Sequence, residues 1–480
     1  MDESTLLTWA LNLLIAQGLM GAFDTLYHHE LTVDLPHRRS ARLELAIHAI
    51  RALLYGLLFA SIAHLRFQGA WVWLVAGVVA VEIALTLWDF VVEDHSRKLP
   101  ATERVLHTVL AINGGAVFGL YGLQLVQWAA LPGALVPVDL GWRGGVLTLF
   151  AVGVAASGVR DGLAALGMAR QSAPPNPFTD VPHQRVLVTG GTGFIGEALV
   201  GQLLDAGHQV TVLTRDPLRA AYLFDGRARC IRSLRSLDAA EVFDAVINLA
   251  GAPVVGPRWS ARRQQQLLAS RVGTTQALAD WLARAQHTPA VWVQASAIGF
   301  YGVRDAAEGL TEGSAQGKGF MATLCAEWEA AAHAAGANGT RQVVLRLGLV
   351  FGPGGALMPL LLPFRLGVGG RMGSGRQVMS WIHRDDVLQL LARALRDPQM
   401  QGTYNAVAPD AAPQAVFART AGQVLRRPVW FHLPAAPLRW LLGEMAELFV
   451  DGQRVLPERL TQAGFAFRYP TLASALRDLA

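Results

Sequence analysis

The stretch "RVLVTGGTGFIGEALVGQLLDAGHQVTVLTR" (residues 185–215) opens with an apolar strand, turns through Gly190, Gly193 and Gly196, continues as an amphipathic helix and returns as a second apolar strand ending at Leu213. A helical period between two short apolar runs is a βαβ unit. Its glycine-rich turn stands where a dinucleotide pyrophosphate would lie. Gly190 permits the tight turn, Gly193 lets phosphates approach backbone N–H groups, and Gly196 allows close helix–strand packing, while the helix N-terminus supplies partial positive charge. Thr192, Phe194 and Ile195 complete the expected cofactor loop.

Cofactor choice turns on the end of the second strand, where an acidic residue would bind the ribose hydroxyls of NAD and an arginine would accept the extra phosphate of NADP. Here stand Thr214 and Arg215, with Arg219 one helical turn further. The expectation is NADP(H). Asp216 follows at once, but an Asp before Pro217 reads as a helix N-cap.

Working outward toward the C-terminus, "FDAVINLAGAPV" (243–254) is an apolar strand ending in Asn248, Leu249, Ala250 and Gly251, a loop of which Asn248, Ala250 and Gly251 are expected to join the cofactor site, and "AVWVQASAIGFYG" (290–302) is another, ending at Ser296. The alternation of strand and helix predicts a doubly wound, Rossmann-like parallel sheet. "TGGTGFIG", "NLAG" and "ASAIGFYG" together resemble the extended, nucleoside-sugar-epimerase-like branch of the short-chain dehydrogenase/reductase superfamily. "RWSARRQQQLLASRVGTTQAL", "CAEWEAAA", "RLGLVFGPGGALMPLLLPFRLGVGG", "GSGRQVMSWIHRDDV" and the last forty residues narrow the resemblance to its atypical NAD(P)-dependent epimerase/dehydratase-like family with a small C-terminal domain of unknown function. The resemblance covers about residues 185–480 and implies a nucleotide-binding fold with a C-terminal substrate lobe. It fixes neither the small-molecule substrate nor the oligomeric state.

Superfamily chemistry normally uses a Ser, a Tyr acting as acid or base, and a Lys four residues after the Tyr. The helix that should carry the last two reads "GFMATLCAEWEAAA" (319–332), with Phe320, Met321, Leu324 and Cys325 in the neighbourhood and neither Tyr nor Lys. Ser296 and Tyr301 are the remaining catalytic candidates, with Glu312 or Glu329 as proton partner. On the opposing reading both are structural and the domain binds NADP(H) as a regulator or scaffold. Arg346 could meet a substrate phosphate or pair with a carboxylate, His383 reads as a packing residue, and Asp385 and Asp386 read as caps of the helix after them.

Before residue 170 the composition changes. The whole chain is 52% hydrophobic and 16% charged, and the apolar excess lies in five runs, near 6–23, 49–65, 71–88, 109–128 and 146–159, each approaching the roughly 20 residues needed to cross a bilayer. An all-α transmembrane bundle of about five spans is expected. Arg38, Arg39 and Arg42 follow the first run and Arg97, Lys98 and Arg104 the third, so the positive-inside rule puts the N-terminus outside and the later domain in the cytoplasm, at the cell membrane. There Cys230 and Cys325 are expected to stay reduced. The net charge of +5 calls for no nucleic acid partner. The expected organisation is a helical domain over 1–169, a Pro-rich linker over 170–184, a nucleotide domain over 185–420 and a small helical domain over 421–480.

The helical half is punctuated twice by the same residues. Asp24 and His28 stand four apart, as do Glu44 and His48, Asp89 and Glu93, and Glu103 and His107, in the order of an Asp-containing pair, Leu-Pro, then Glu-x-x-x-His. Residues four apart share a helix face, so this internal repeat puts eight carboxylate and imidazole groups at the cytoplasmic span ends. They would suit a di-metal site of iron, manganese or zinc; interfacial salt bridges with Arg38, Arg42, Arg97 or Arg104 are the plainer reading. A further reading makes this half the catalyst, a metal centre fed by NADPH.

Overall fold

The computed structural model describes residues 3–32, 35–37, 41–96, 99–170, 174–335, 339–355 and 357–479. Arg38, Arg39, Arg97 and Lys98, on which the expected orientation largely rests, lie outside the described residues. The chain divides into two compact units, residues 1–173 and 174–480.

The first unit is all-α in its main elements: α1 (Glu3–Phe23), α2 (Arg42–His64), α3 (Val72–Ser96), α4 (Ala101–Ala129) and α5 (Trp142–Arg170). Each of the five, α1 together with the turn that follows it, is long and apolar enough to cross a membrane. A short antiparallel pair, β1 (Leu65–Gln68) with β2 (Ala134–Pro137), joins the ends of α2 and α4. Small residues bring α2 and α5 together: a Cβ on Gly56 would touch Ala155 at 3.2 Å, and one on Gly158 would touch Ala52 at 3.0 Å, the close approach small residues allow. Leu14, Phe59, Tyr121, Trp128 and Leu147 fill the interior. Trp73, Leu87, Ile112, Val126 and Leu149 face outward.

The second unit is built on seven parallel strands: β3 (Arg185–Thr189), β4 (Gln209–Leu213), β5 (Arg229–Ile231), β6 (Ala245–Asn248), β7 (Val291–Ala297), then, after the short β8 (Gly309–Leu310), β9 (Arg341–Leu347) and an edge strand Gly402–Ala406. Their order across the sheet is Gly402–Ala406, β9, β7, β6, β3, β4, β5. The chain winds outward from β3 in both directions, so the strand order reverses between β3 and β6. Ligands of open α/β sheets bind outside the carboxyl ends of the strands at such a reversal. Val186, Val188, Ile247 and Val293 are wholly buried, as strands covered on both faces require.

Two expected boundaries are corrected. Residues 171–173 lie outside the described residues, but the rest of the Pro-rich stretch is no free linker. Phe178 is fully buried against the strand core, and the Asn176 side chain donates to the Gln202 carbonyl at 2.7 Å. Nor do residues 421–480 stand apart as a helical domain. Phe431–Leu433 pairs with Gly370–Met372, Arg454–Val455 pairs with β8, and Leu472, Leu476 and Leu479 share a core with Phe417. Apolar side chains too few to form their own core are buried by joining the neighbouring lobe.

Candidate functional site

At the strand reversal, Thr189 of β3 lies beside Asn248 of β6, so the glycine turn and the 248–251 loop leave the sheet together. Gly190 has φ +69°, where L side chains are strained, and a Cβ on it would lie 2.5 Å from the Leu249 carbonyl oxygen. Gly193 heads α6 (Phe194–Asp205) in extended conformation. Thr192 and Gly193 are exposed, and Phe194 and Ile195 are half-buried. The turn therefore offers backbone N–H groups and a helix N-terminus with no side chain in the way. Gly196 is packed beneath it, where a Cβ would come 2.7 Å from Gly191 Cα. The Phe194 ring leans on the far loop, 3.0 Å from a Cβ on Gly352, with the Arg384 guanidinium 5.5 Å from its centroid.

Asn248, expected to touch the cofactor, is corrected: it is fully buried. It accepts from Thr189 Oγ1 at 2.5 Å and donates to Thr275 Oγ1 at 2.8 Å and Gln294 Oε1 at 2.9 Å. Its amide positions the loop carrying Ala250 and Gly251, which is also braced by Arg271, donating to the Ala252 carbonyl at 3.0 Å. Asp216 caps α7 (Pro217–Leu223) by accepting from Arg219 N at 3.1 Å, as its place before Pro217 indicated. Arg215 and Arg219 are exposed just beyond β4. Thr214 N donates to Ile231 O at 2.9 Å, which aligns the ends of β4 and β5 and puts the exposed Arg232 beside them. That arginine was unremarkable in sequence, because only strand pairing relates it to Arg215.

The catalytic candidates lie in a closed network. Ser296 is buried, and its Oγ donates to Glu329 Oε1 at 2.6 Å. Arg346 forks onto Glu329, with Nε to Oε1 at 2.9 Å and Nη2 to Oε2 at 2.8 Å, and its third nitrogen donates to the Tyr301 hydroxyl at 2.9 Å. Tyr301 in turn donates to Asn405 Oδ1 at 2.7 Å and has no exposed surface. A proton donor needs a face open to the reacting group. The expectation that Tyr301 reaches the nicotinamide therefore gives way to a structural position for it in this conformation. Burial also raises its pKa, with Arg346 opposing. Glu312 is occupied by the backbone N–H groups of Asn405 and Arg459.

On the helix Phe320–Ala335, Met321 and Cys325 face the turn after β7, since a Cβ on Gly299 would lie 3.2 Å from Met321 and 3.6 Å from Cys325 Sγ. They stand four apart, in the spacing of the missing Tyr and Lys. Burial pushes the Cys325 thiol up to about 12, so it offers no thiolate near neutrality. His383 packs on Tyr469, with ring centroids 3.9 Å apart, and itself caps the helix Arg384–Arg396. Asp386 is not a cap but accepts from Arg468 N and Tyr469 N, tying down the C-terminal segment.

In the first unit the eight predicted groups do gather at one end of the bundle, with two corrections. The chain after α1 winds as a wide π-helical turn, Asp24–Thr32, which lets both His28 and His29 reach Asp24, at 2.8 and 3.3 Å. The ligand atoms of Asp24, His29, Glu103 and His107 lie within 4.8 Å of one another, as do those of Glu44, His48 and Glu93. His28 instead turns its other nitrogen toward Thr102, 3.4 Å away. Asp89 stands beside the second group, sharing one oxygen between His48 Nε2 at 2.9 Å and Arg51 Nη1 at 2.5 Å, and Arg51 also binds Glu82 at 3.0 Å. Arg51 and Glu82, one charge in each of two apolar runs, were the overlooked signal.

The fold and the open glycine turn at the strand reversal are those of the dinucleotide-binding proteins of the doubly wound α/β class. The model of the NAD dependent epimerase/dehydratase family matches residues 186–407, and that of a domain of unknown function, DUF1731, matches residues 433–479. Epimerase family protein SDR39U1 of Bos taurus is 40% identical over 305 residues, 62% of this chain and 99% of its own length. Epimerase family protein YfhF of Bacillus subtilis is 35% identical over 299 residues, 61% of this chain and 97% of its own. The crystal structure of human SDR39U1 with NADPH superposes with a TM-score of 0.57 at 38% identity, covering 62% of this chain and 99% of that one. The chain belongs to the NAD dependent epimerase/dehydratase family.

Proposed function

We propose that the second unit binds NADP(H) and that the chain is a membrane-anchored, oxidoreductase-like member of its family working without the Tyr-x-x-x-Lys proton relay. The observation that carries this reading is the open glycine turn set against the 249–250 backbone, with Arg215 exposed at the end of the neighbouring strand. A guanidinium there suits a 2′-phosphate, and the human relative was crystallised with NADPH. Any hydride transfer would draw its proton from substrate or solvent, because Met321 and Cys325 occupy the relay's spacing. In fluorescence titrations NADPH is expected to bind at least about tenfold more tightly than NADH, a difference of roughly 1.4 kcal/mol, and Arg215→Ala is expected to erase it. Equal affinities in the wild-type chain would overturn the cofactor assignment.

Anchoring in a lipid bilayer is supported by the inverted pattern of the first unit, where Trp73, Leu87, Ile112 and Leu149 are exposed while Glu82, Asp89, Glu93 and Glu103 are buried. A helical bundle in water shows the opposite arrangement. The basic connections then favour an outside N-terminus and a cytoplasmic nucleotide unit. A second reading, a nucleotide-dependent regulator without turnover, draws on the closed Ser296–Glu329–Arg346–Tyr301 network, whose members are spent on one another.

A further inference from the structure

We propose that the helix-end cluster of the first unit is a two-ion centre for first-row divalent metals, held by Asp24, His29, Glu103 and His107 on one side and Glu44, His48 and Glu93 on the other. The inference is independent of the nucleotide reading. Metal–ligand bonds of about 2.0–2.2 Å hold donor atoms roughly 3–4.4 Å apart, and the donor atoms of each group already lie within 4.8 Å of one another. The groups adjoin. Glu93 places one carboxylate oxygen 3.5 Å from His48 Nε2 and the other 3.3 Å from His107 Nδ1, the ring nitrogen opposite the one that meets Asp24, so a ligand of the second group also orients a ligand of the first. The His29 and His48 rings stack with centroids 4.6 Å apart across the same junction.

Burial sharpens the argument. Asp24 is 6% exposed, Glu44 0%, Glu93 2% and Glu103 0%, and carboxylates leave water only when paired, protonated or bound to a cation. Two divalent ions would offset four such charges while keeping the imidazoles neutral, the form that ligates. Two further atoms at the second group, His48 Nδ1 and Asp89 Oδ1, are buried with no hydrogen-bond partner among the described residues. Buried polar atoms are seldom left so. The π-helical turn that delivers His29 is a distortion frequent at functional sites. The donor set is oxygen and imidazole with no thiolate, which favours iron, manganese or zinc over softer ions.

The test is elemental analysis of the full chain purified in detergent, both as isolated and after anaerobic reconstitution with iron(II), manganese(II) or zinc(II). About two ions per chain are expected. Glu93→Ala and His107→Ala should each lose most of them, and His64→Ala, at the other end of α2, should lose none. Less than roughly a tenth of an ion per chain under every condition, or full metal content in both cluster variants, would overturn the proposal. Should the variants fail to fold, X-ray absorption of the wild-type metal decides. Nitrogen and oxygen ligands alone support the centre. Sulfur ligation refutes it, since Cys230 and Cys325 both belong to the other unit.

Discussion

Gly193→Val is expected to weaken NADPH binding by about 100-fold or more, equivalent to roughly 2.8 kcal/mol, while leaving the fold intact. Gly193 has φ −90° and ψ 175°, a conformation any residue adopts, and it is exposed. A Cβ there would meet only the Gly190 carbonyl, at 3.2 Å. The added side chain therefore costs the apoprotein little and stands where the pyrophosphate must approach the helix N-terminus. Calorimetric titration of the full chain measures the loss. Gly201→Val on the same helix, where a Cβ would have nothing within 4 Å, is the control expected to bind normally. An unchanged affinity in Gly193→Val would place the nucleotide elsewhere.

Glu329→Ala is expected to destabilise the second unit by about 3–5 kcal/mol, the usual cost of stranding one partner of a buried ion pair. The Arg346 and Glu329 side chains are 6% and 7% exposed, so water can replace little of what is lost. Ser296 Oγ and two guanidinium nitrogens lose their acceptor at once, and Arg346 keeps its hydrogen bond to Tyr301 and its place over the Phe300 ring but no counter-charge in the network. For a unit of this size the melting temperature should fall by roughly 5–8 °C, followed by near-ultraviolet circular dichroism. Replacing both residues by methionine should recover most of the loss, because the desolvation cost goes with the pair. A shift below about 1 °C in Glu329→Ala would show that the network carries no load.

The parts legible in the sequence were those fixed by local backbone requirements. Gly190 and Gly196 announce a turn that only glycines fit, Gly193 keeps its mouth clear for a ligand, and Asp216 before Pro217 announces a cap. The helix-end residues were legible for a related reason: antiparallel helices joined by short connections return Glu44 and Glu103 to the end where Asp24 and Asp89 leave. What the sequence hid depends on departures from local regularity or on distant partners. α-Helical spacing selects His28, and only the widened turn brings its neighbour His29 inward. Asn248 has the place of a ligand in the sequence, but its amide is shared among Thr189, Thr275 and Gln294, which are 59, 27 and 46 residues away. Phe178 read as part of a linker because nothing beside it in the chain reveals the strand core that buries it. Tyr301 followed the same pattern, its hydroxyl being claimed by Asn405, 104 residues on.

Amide hydrogen exchange of the full chain with and without NADPH tests the central claim most directly, because it reports where the nucleotide sits as well as whether it binds. Added NADPH should slow exchange in the segments around Gly190–Glu197, Thr214–Arg219 and Leu249–Ala252, with NADH at the same concentration protecting the Thr214–Arg219 segment less. Unchanged exchange in the Gly190–Glu197 segment under saturating NADPH, or protection confined to other parts of the chain, would contradict the account.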